Sequence, residues 1–290
     1  MEPVPTWARV LAVLVAVPTA LGFAITVIGG ALSIASTSAE THDVTTFAVG
    51  PSPSLQLHAQ IGSVLIETGG DGRIVVDDQR RASNITRAAA AAVVSLSAVE
   101  TSRQGDHVVV EQRALLSAPA LSRSENLTIT VPARTDLDVS GIGDVRIQGT
   151  DGAVQLRTSG AAALHDLTLR GTSTLDSQFG RLQLTNVTVA GAATVTQRVG
   201  EVSFDGALEP GGSSLDIEAG SGGATVALPS PTDARAVVTT QAGNFHPDRT
   251  WLFTPDQPVN PHVWTADLGP RPTGTVTVHA TLGTVTFTVR

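Results

Sequence analysis

The chain has 290 residues, a formal net charge of −8, no Cys, no Tyr and 28 Gly. Without Cys there is no disulfide framework, no Cys zinc site and no Cys nucleophile. The negative net charge argues against a nucleic-acid-binding protein, which needs a basic face. Abundant Gly beside Val, Ala and Thr is typical of an all-β protein with many tight turns.

The N-terminal segment Val10–Ala35 contains no charged residue and is long enough to cross a bilayer, which takes about 20 apolar residues. Arg9 is the only basic residue before it, and Glu40 is the first charge after it. The positive-inside rule therefore predicts a cytoplasmic tail (1–9), a transmembrane anchor in the lipid bilayer (10–35) and an extracytoplasmic remainder.

The alternative for this segment is a secretory signal peptide that is cleaved near Thr37-Ser38-Ala39. Signal peptides carry an apolar stretch of about 7–15 residues, and this run is longer, which favours the anchor. Both interpretations export the rest of the chain.

Glycine recurs at a nearly fixed spacing in the middle of the chain. The spacings are 17, 20, 20 and 20 residues along the series Gly143, Gly160, Gly180, Gly200 and Gly220. Apolar and polar residues alternate on both sides of each glycine, which is the pattern of short β-strands. Residues 55–70 and 276–290 have the same form. A glycine at one phase indicates a corner that needs positive φ or a close backbone approach.

A period of about 20 residues has room for two or three short strands and no helix. The prediction is an all-β fold: a single-stranded right-handed β-solenoid of about 20 residues per coil, in which neighbouring coils complete the core. A β-sandwich with strands every 8–12 residues is the alternative. The predicted inward side chains are Val145, Ile147, Val154, Leu156, Leu164, Leu167, Leu169, Leu175, Leu182, Leu184, Val187, Val189, Val195, Val202, Phe204, Leu215, Ile217 and Val226. The predicted outward side chains are Arg146, Gln155, Arg157, Gln183, Thr185, Thr188, Thr194 and Thr196.

Three segments of the chain depart from the repeat. Residues 36–54 are predicted to be a linker into the extracytoplasmic domain, 55–290. Residues 71–135 are predicted to hold a strand at Ile74–Val76, a short capping helix from an N-cap at Ser83 to about Val94, a hairpin around Gln104-Gly105-Asp106, and a strand at Asn126–Val131. Residues 230–274 are rich in Pro and are predicted to be a capping loop, with Trp251, Phe253 and Trp264 covering the end of the core.

The phrase NLTITVPARTDLDVSGIGDVRIQGTDGAVQLRTSG, from Asn126 to Gly160, has an apolar strand ending in Val-Pro and then serial short strands with Gly and Thr/Ser turns. It resembles the bacterial "putative adhesin" family, the domain of unknown function 4097, over about residues 55–290. The resemblance implies an extracytoplasmic β-solenoid, often on a membrane anchor. It implies no activity and no catalytic residues.

The sequence contains no metalloprotease, nucleophile-elbow or phosphate-loop motif. The nearest candidates are His165-Asp166, His246-Pro247-Asp248, and the pair Asp176 and Asp216, which both lie four residues before a repeating glycine. Glycanases use paired acids, but two acids two coils apart are about 10 Å from each other with no third acid. Asn84, Asn126 and Asn186 match glycosylation sequons. No residue is therefore predicted to be catalytic, cofactor-binding or metal-binding.

The leading hypothesis is a non-enzymatic, membrane-anchored surface protein whose partner is a cell-wall polymer or a surface or membrane protein. The alternatives are an envelope-stress signalling accessory that acts through a membrane partner, and a carbohydrate-active enzyme of the β-helix type.

Overall fold

The computed structural model describes residues 37–290 except 61, 71, 115–119 and 258–261. The predicted tail and anchor (1–9 and 10–35) lie outside the described residues. Among those described, no helix is long and apolar enough to cross a membrane. The chain is all-β with a single α-helix in its described part.

The described residues divide into two compact units. The smaller unit contains 37–40, 81–96 and 120–124, and the larger contains 41–80, 97–114 and 125–290, apart from the gaps above. The strands are β1 (Thr37–Ala48), β2 (Ser54–Ala59), β3 (Ser63–Thr68), β4 (Arg73–Asn84), β5 (Ser97–Gln104), β6 (His107–Ala114), β7 (Ser122–Val131), β8 (Asp136–Gly141), β9 (Asp144–Gln148), β10 (Asp151–Gly152), β11 (Val154–Thr158), β12 (Ala162–His165), β13 (Thr168–Leu169), β14 (Thr172–Val189), β15 (Ala192–Leu208), β16 (Ser214–Ser221), β17 (Ala224–Leu228), β18 (Ala234–Ala242), β19 (Phe245–Pro247), β20 (Thr254–Gln257), β21 (His262–Asp267), β22 (Gly274–Leu282) and β23 (Val285–Val289).

The smaller unit contains the helix, α1 (Arg87–Ser95). Its N-cap is Thr86, whose side chain accepts a hydrogen bond from the Ala89 amide at 3.2 Å. The predicted N-cap at Ser83 is wrong because β4 continues through Asn84, so the chain is still extended at that point. The helix packs Val93 and Val94 against Ala82.

The larger unit is built from parallel ladders of strands. The first ladder runs in the order β6, β2, β8, β11, β14, β15, β16, β22, β18. The second runs in the order β7, β3, β9, β12, β14, β15, β17, β23, β19. The long strands β14 and β15 turn from one ladder into the other, and a short third ladder joins β10, β13 and the ends of β14 and β15. We call the chain segment that supplies one strand to each of the first two ladders a repeat.

The order of the repeats in the ladders differs from their order along the chain. β2 and β3, the first repeat in sequence, lie between β6–β7 and β8–β9. The C-terminal strands β22 and β23 likewise lie between β16–β17 and β18–β19. The first repeat in sequence (β2 and β3) and the last (β22 and β23) therefore each have a neighbour on both sides. The outermost strands of the two ladders are β6 and β7 at one end and β18 and β19 at the other.

Apart from the β6–β7 repeat, whose connection has no glycine, each repeat turns between the two ladders at a glycine, and glycines of neighbouring repeats approach each other closely. A methyl group on Gly200 would lie 1.6 Å from the Gly180 carbonyl oxygen, and one on Gly222 would lie 1.8 Å from that of Gly200. No side chain fits such a gap. Gly200 also has a φ of +131°, which L residues with a side chain rarely adopt. The predicted reason for the glycine spacing, positive φ or a close backbone approach, is confirmed at this corner: Gly143 and Gly160 show the close approach alone, and Gly200 shows both.

The prediction of Gly220 as the fifth glycine of the series is wrong, because the glycine at this corner is Gly222. Strand β16 is offset by 22 residues from β15, because Thr194 pairs with Asp216. The extra residues lie in the turn between Leu208 and Ser214.

Polar side chains inside the corner bind its carbonyl oxygens. Thr158 Oγ1 donates to the Gly143 carbonyl at 2.8 Å, Ser177 Oγ to that of Gly160 at 2.9 Å, and Gln197 Nε2 to that of Val199 at 2.9 Å. Thr158, Ser177 and Gln197 are paired neighbours in the first ladder, and all three are buried. Burying a carbonyl without a partner costs roughly 1–3 kcal/mol, so these residues stabilise the turn.

The core between the ladders consists of the residues that the alternation predicts. All 18 predicted inward side chains are at most 3% exposed, and none of the predicted outward ones is buried. At one end of the second ladder the rings of Phe245 and Phe253 are 4.9 Å apart, and those of Phe253 and Phe287 are 5.3 Å apart. Phe253 is buried and Trp264 is half-buried against the core, as predicted, while the Trp251 side chain lies outside the described part.

Two segments have more regular structure than expected. The predicted linker, 36–54, contains the 12-residue strand β1. The predicted capping loop, 230–274, contains β18, β19, β20 and β21, and β18 pairs along its length with β22. The hairpin around Gly105 is confirmed: β5 and β6 are antiparallel, with Gln104 opposite His107.

The strand order makes a prediction that paired cysteines test. Glu218 and Thr239 both pair with His279, on either side of it. Neighbouring strands are about 4.8 Å apart, within reach of a disulfide, while strands two apart are about 10 Å apart and beyond reach. We expect the double variants Glu218→Cys/His279→Cys and Thr239→Cys/His279→Cys to form intramolecular disulfides on mild oxidation, measured by mass spectrometry. Glu218→Cys/Thr239→Cys is the matched control, and a disulfide there would mean that the repeats follow chain order.

Candidate functional site

A groove of about 550 Å³ lies on the outer face of the second ladder. Its floor is the strand β12, where Ala163 lies between Arg146 and Gln183 in register. Ala161, in the turn just before β12, similarly lies between Asp144 of β9 and Arg181 of β14, and all three line the groove. Alanine side chains between rows of long side chains leave a trough, which we call the alanine trough. Ser63, Leu65, Asn126 and Thr128 extend it over β3 and β7.

The alanine trough carries an unpaired positive charge. Arg146 is exposed and makes no ion pair with any residue that the structure describes. Arg181 at the opposite wall binds Glu201 at 2.9 Å. Asp144 accepts a hydrogen bond from the Ala161 amide at 3.0 Å, so part of its charge is used within the fold. The trough thus offers a guanidinium, amide and hydroxyl groups over an apolar floor, in a chain whose net charge is −8.

A second groove, of about 540 Å³, lies on the other side of the glycine corner. His58, Ser140, Arg157 and Asp176 follow one another in register across its four strands. His58 Nδ1 lies within hydrogen-bonding distance of Ser140 Oγ, and Arg198 approaches Asp176 at 3.8 Å. The opposite charges of Asp176 and Arg198 partly cancel, and Arg157, which is exposed and makes no ion pair with a described residue, leaves this groove with a positive charge as well. The second groove differs from the alanine trough in lacking the floor of alanine side chains.

The two acids considered for glycan hydrolysis do not occupy equivalent positions. Asp176 pairs with Thr196, which pairs with Glu218, whereas Asp216 lies two residues earlier and pairs with Thr194. The cause is the shift of the corner glycine to Gly222. Asp176 and Glu218 share a row, separated by the strand of Thr196, and no third acid is added to them.

The histidine–aspartate candidates have structural contacts. Asp166 and Asn186 are stacked corner residues with φ of 57° and 56°, a region that Asp and Asn tolerate, and the Asn186 side-chain amide donates to Asp166 at 2.7 Å. Asp248 accepts a hydrogen bond from the Val289 amide at 3.1 Å and so holds the C-terminal strand. Among the sequon residues, Asn126 accepts a hydrogen bond from Ser63 at 2.8 Å.

A buried charge cluster lies at the other end of the ladders from β18. The Arg80 guanidinium binds Asp78 at 2.9 Å and also contacts Asp43 of β1 and the Ser97 carbonyl oxygen of β5. Nearby, Glu125 accepts hydrogen bonds from Ser97 Oγ and from the Gln112 amide. Burial raises the pKa of Asp78 to about 6, because desolvation outweighs the attraction of Arg80, and the negative charges of Glu125, Asp43 and Asp77 add to the rise.

Neither the alanine trough nor the buried cluster is predicted from the sequence. A signal for the trough exists in the run Ala161-Ala162-Ala163, which places two small outward residues in one repeat while the adjacent repeats carry Arg and Gln there. For the cluster, Asp77-Asp78-Gln79-Arg80-Arg81 reads as a solvated charged stretch, and its burial depends on pairing with β1, β5 and β7 that is distant in sequence.

Comparisons with known proteins give structural likeness only. No protein-family model matches the sequence. No curated protein matches it either. Similar solved structures include a "putative cell adhesion protein" from Clostridium sporogenes, with 10% identity, a TM-score of 0.39, and coverage of 87% of this chain and 100% of that one. A "putative adhesin" from Bacteroides fragilis has 11% identity, a TM-score of 0.37, and coverage of 86% and 97% respectively. At these scores the likeness assigns neither a family nor a function to this chain.

The raised pKa of Asp78 predicts a pH-dependent stability. Because the folded state binds this proton more tightly than the unfolded chain, the stabilisation is fully present below about pH 4 and is lost as pH rises through about 6. We expect the unfolding free energy of the protein, relative to that of Asp78→Asn, to fall by on the order of 2–3 kcal/mol between pH 4 and pH 7.5. Guanidinium unfolding at several pH values measures this, and a difference between the two proteins that does not vary with pH would contradict it.

Proposed function

We propose that the parallel ladders are the sides of a right-handed β-solenoid, held outside the cytoplasm by the apolar segment 10–35. Paired residues in neighbouring repeats are offset by 17 residues between β8 and β11, 19 between β11 and β14, and 20 between β14 and β15, which is about one coil each. The uncharged run Val10–Ala35 and the flanking Arg9 support the anchor.

Protease added to intact cells tests this topology. If the segment 10–35 anchors the protein with its N-terminus inside, the part after residue 36 is digested without cell lysis, as detected by an antibody against the C-terminal strands. Protection of those strands until the membrane is permeabilised would contradict the proposed orientation.

We further propose that this domain is a non-enzymatic, adhesin-like binding module for a cell-envelope polymer, and that the alanine trough is its binding site. The observation that carries the proposal is the exposed Arg146, which has no ion-pair partner in the described part of the chain, beside a trough of about 550 Å³. That volume suits a few units of a polymer, since small-ligand pockets span roughly 300–1,000 Å³.

The shape and chemistry of the trough favour an anionic polymer chain. The strands that carry its walls, β9 and β14, lie on either side of β12, so the walls are about 10 Å apart. A guanidinium binds a carboxylate or a phosphate through two parallel hydrogen bonds. The hydroxyl and amide groups of Thr128 and Gln183 are placed to bind the neutral oxygens of the same chain.

The test is the binding of the full chain, in mild detergent, to insoluble bacterial cell wall. We expect Arg146→Glu to weaken this binding by about tenfold or more, because a charge-assisted hydrogen bond is lost and a repulsion takes its place. Arg235→Glu is the matched control: it changes the same charge on an exposed arginine of β18, outside the trough.

The source of the anion is tested with the same wall after hydrofluoric acid has removed its phosphate-bearing polymers. Loss of binding would identify phosphate, and retained binding would identify wall carboxylates. Equal weakening by the two variants would place the binding site outside the trough, and no binding of the unmodified chain to either wall would overturn the proposed function.

A further inference from the structure

Four of the large apolar side chains exposed on the described surface form a single line along the glycine corner. Ile142, Phe179, Val199 and Leu282 are 47–58% exposed, and each is the residue directly before a corner glycine. Phe179 pairs with Val199, Val199 with Ser221, and Ser221 with Leu282. We call this line the corner stripe. The largest exposed apolar patch of a protein is often an interaction site.

The corner stripe has the same sequence of residue types in both directions. Over six consecutive repeats it reads Ile142, Ser159, Phe179, Val199, Ser221 and Leu282, that is, apolar, Ser, apolar, apolar, Ser, apolar. Ser159 belongs to the repeat that pairs with that of Ile142, because Gly141 pairs with Thr158 just before them. A surface of this kind is self-complementary under a two-fold rotation that reverses the direction of the stack.

The charges beside the corner stripe have the same symmetry. Arg181 and Glu201 each follow a corner glycine, in the repeats of Phe179 and Val199. A two-fold axis that passes between these two repeats, in the plane of contact and perpendicular to the stripe, brings Arg181 opposite the partner's Glu201. The same axis brings Glu201 opposite the partner's Arg181. Both side chains are well exposed and already form an ion pair within one chain at 2.9 Å, so two copies would form a four-membered charge network.

We propose that the corner stripe binds a second copy of this chain in an antiparallel, two-fold arrangement. Ile142 then faces the partner's Leu282, Phe179 faces the partner's Val199, and the two serines face each other. The proposal does not depend on what the alanine trough binds. It places the two troughs on the same side of the dimer, since both lie on the side of the corner that carries Arg181.

The dimensions of the stripe indicate a weak dimer. Six repeats at about 4.8 Å span about 24 Å, and a line of side chains with its flanking residues is about 10–15 Å wide. That gives roughly 250–350 Å² for each partner, below the roughly 800 Å² of a standard stable interface. Confinement to a membrane through the proposed anchor would raise the effective concentration of the two copies. A covalent trap is therefore the suitable measurement.

Because the chain has no Cys, single cysteines report this contact without background. Ile142→Cys and Leu282→Cys are prepared separately in the full chain, in mild detergent, and are oxidised alone and as an equimolar mixture. The expected result is a disulfide dimer in the mixture that joins residue 142 of one copy to residue 282 of the other, with little dimer from either variant alone. In the antiparallel arrangement two copies of residue 142 are about 24 Å apart.

Three results would overturn the proposal. Dimers of each variant alone would indicate parallel stripes. The absence of mixed dimers would mean that the stripe does not bind a second copy. A yield equal to that of an Ile85→Cys and Leu282→Cys mixture would indicate random collision, because Ile85 is equally exposed but lies outside the stripe.

The charge network supplies an independent test. Adding Glu201→Arg to both cysteine variants places two arginines opposite each other and is expected to lower the yield by about two- to fivefold. Adding Arg181→Glu to one variant and Glu201→Arg to the other restores opposite charges at both positions, and the yield is expected to recover. No recovery in this combination would contradict the antiparallel arrangement.

Discussion

The close stacking of glycines at one corner is the constraint on which the larger unit depends. Where the chain turns from the first ladder into the second, the carbonyl oxygen of one glycine occupies the space that a Cβ atom of the next would need, as between Gly180 and Gly200. This contact holds successive repeats at the spacing of hydrogen-bonded strands, about 4.8 Å, through the turn as well as along the ladders. The polar side chains of Ser177 and Gln197 donate hydrogen bonds to carbonyl oxygens of the corner.

The same corner determines which surfaces are available for binding. A residue directly before the glycine, such as Phe179, points away from the core and is exposed. A residue directly after it, such as Arg181, lies at the edge of the second ladder and forms the wall of the alanine trough. The proposed dimer contact and the proposed polymer site are thus adjacent, because the residues of one directly precede the corner glycine and a wall residue of the other directly follows it.

The sequence was sufficient to predict the core but not the arrangement of the repeats. Alternation identifies inward residues such as Leu184 and Phe204 correctly because it depends only on the local geometry of a strand. The corner glycine was misplaced at Gly220 because Gly222 is also present two residues later, and only the length of the turn after Leu208 decides between them. The position of β22 between β16 and β18 has no local signal, since any apolar strand with the same period could pair there. The floor of the alanine trough has a local signal in Ala161-Ala162-Ala163, but its extension over β3 and β7 depends on a pairing that is distant in sequence.

The role of the glycine corner is tested most directly by comparing Gly200→Ala with Gly171→Ala in urea or guanidinium unfolding. Both glycines have positive φ, but a methyl group on Gly171 meets no atom within 4 Å, whereas one on Gly200 meets the Gly180 carbonyl oxygen at 1.6 Å. If the close approach governs the fold, Gly171→Ala costs about 1–2 kcal/mol, the penalty of the backbone conformation alone. Gly200→Ala then costs at least about 3 kcal/mol or prevents folding, because the overlap is added to that penalty. Equal, small losses of stability in the two variants would contradict the account.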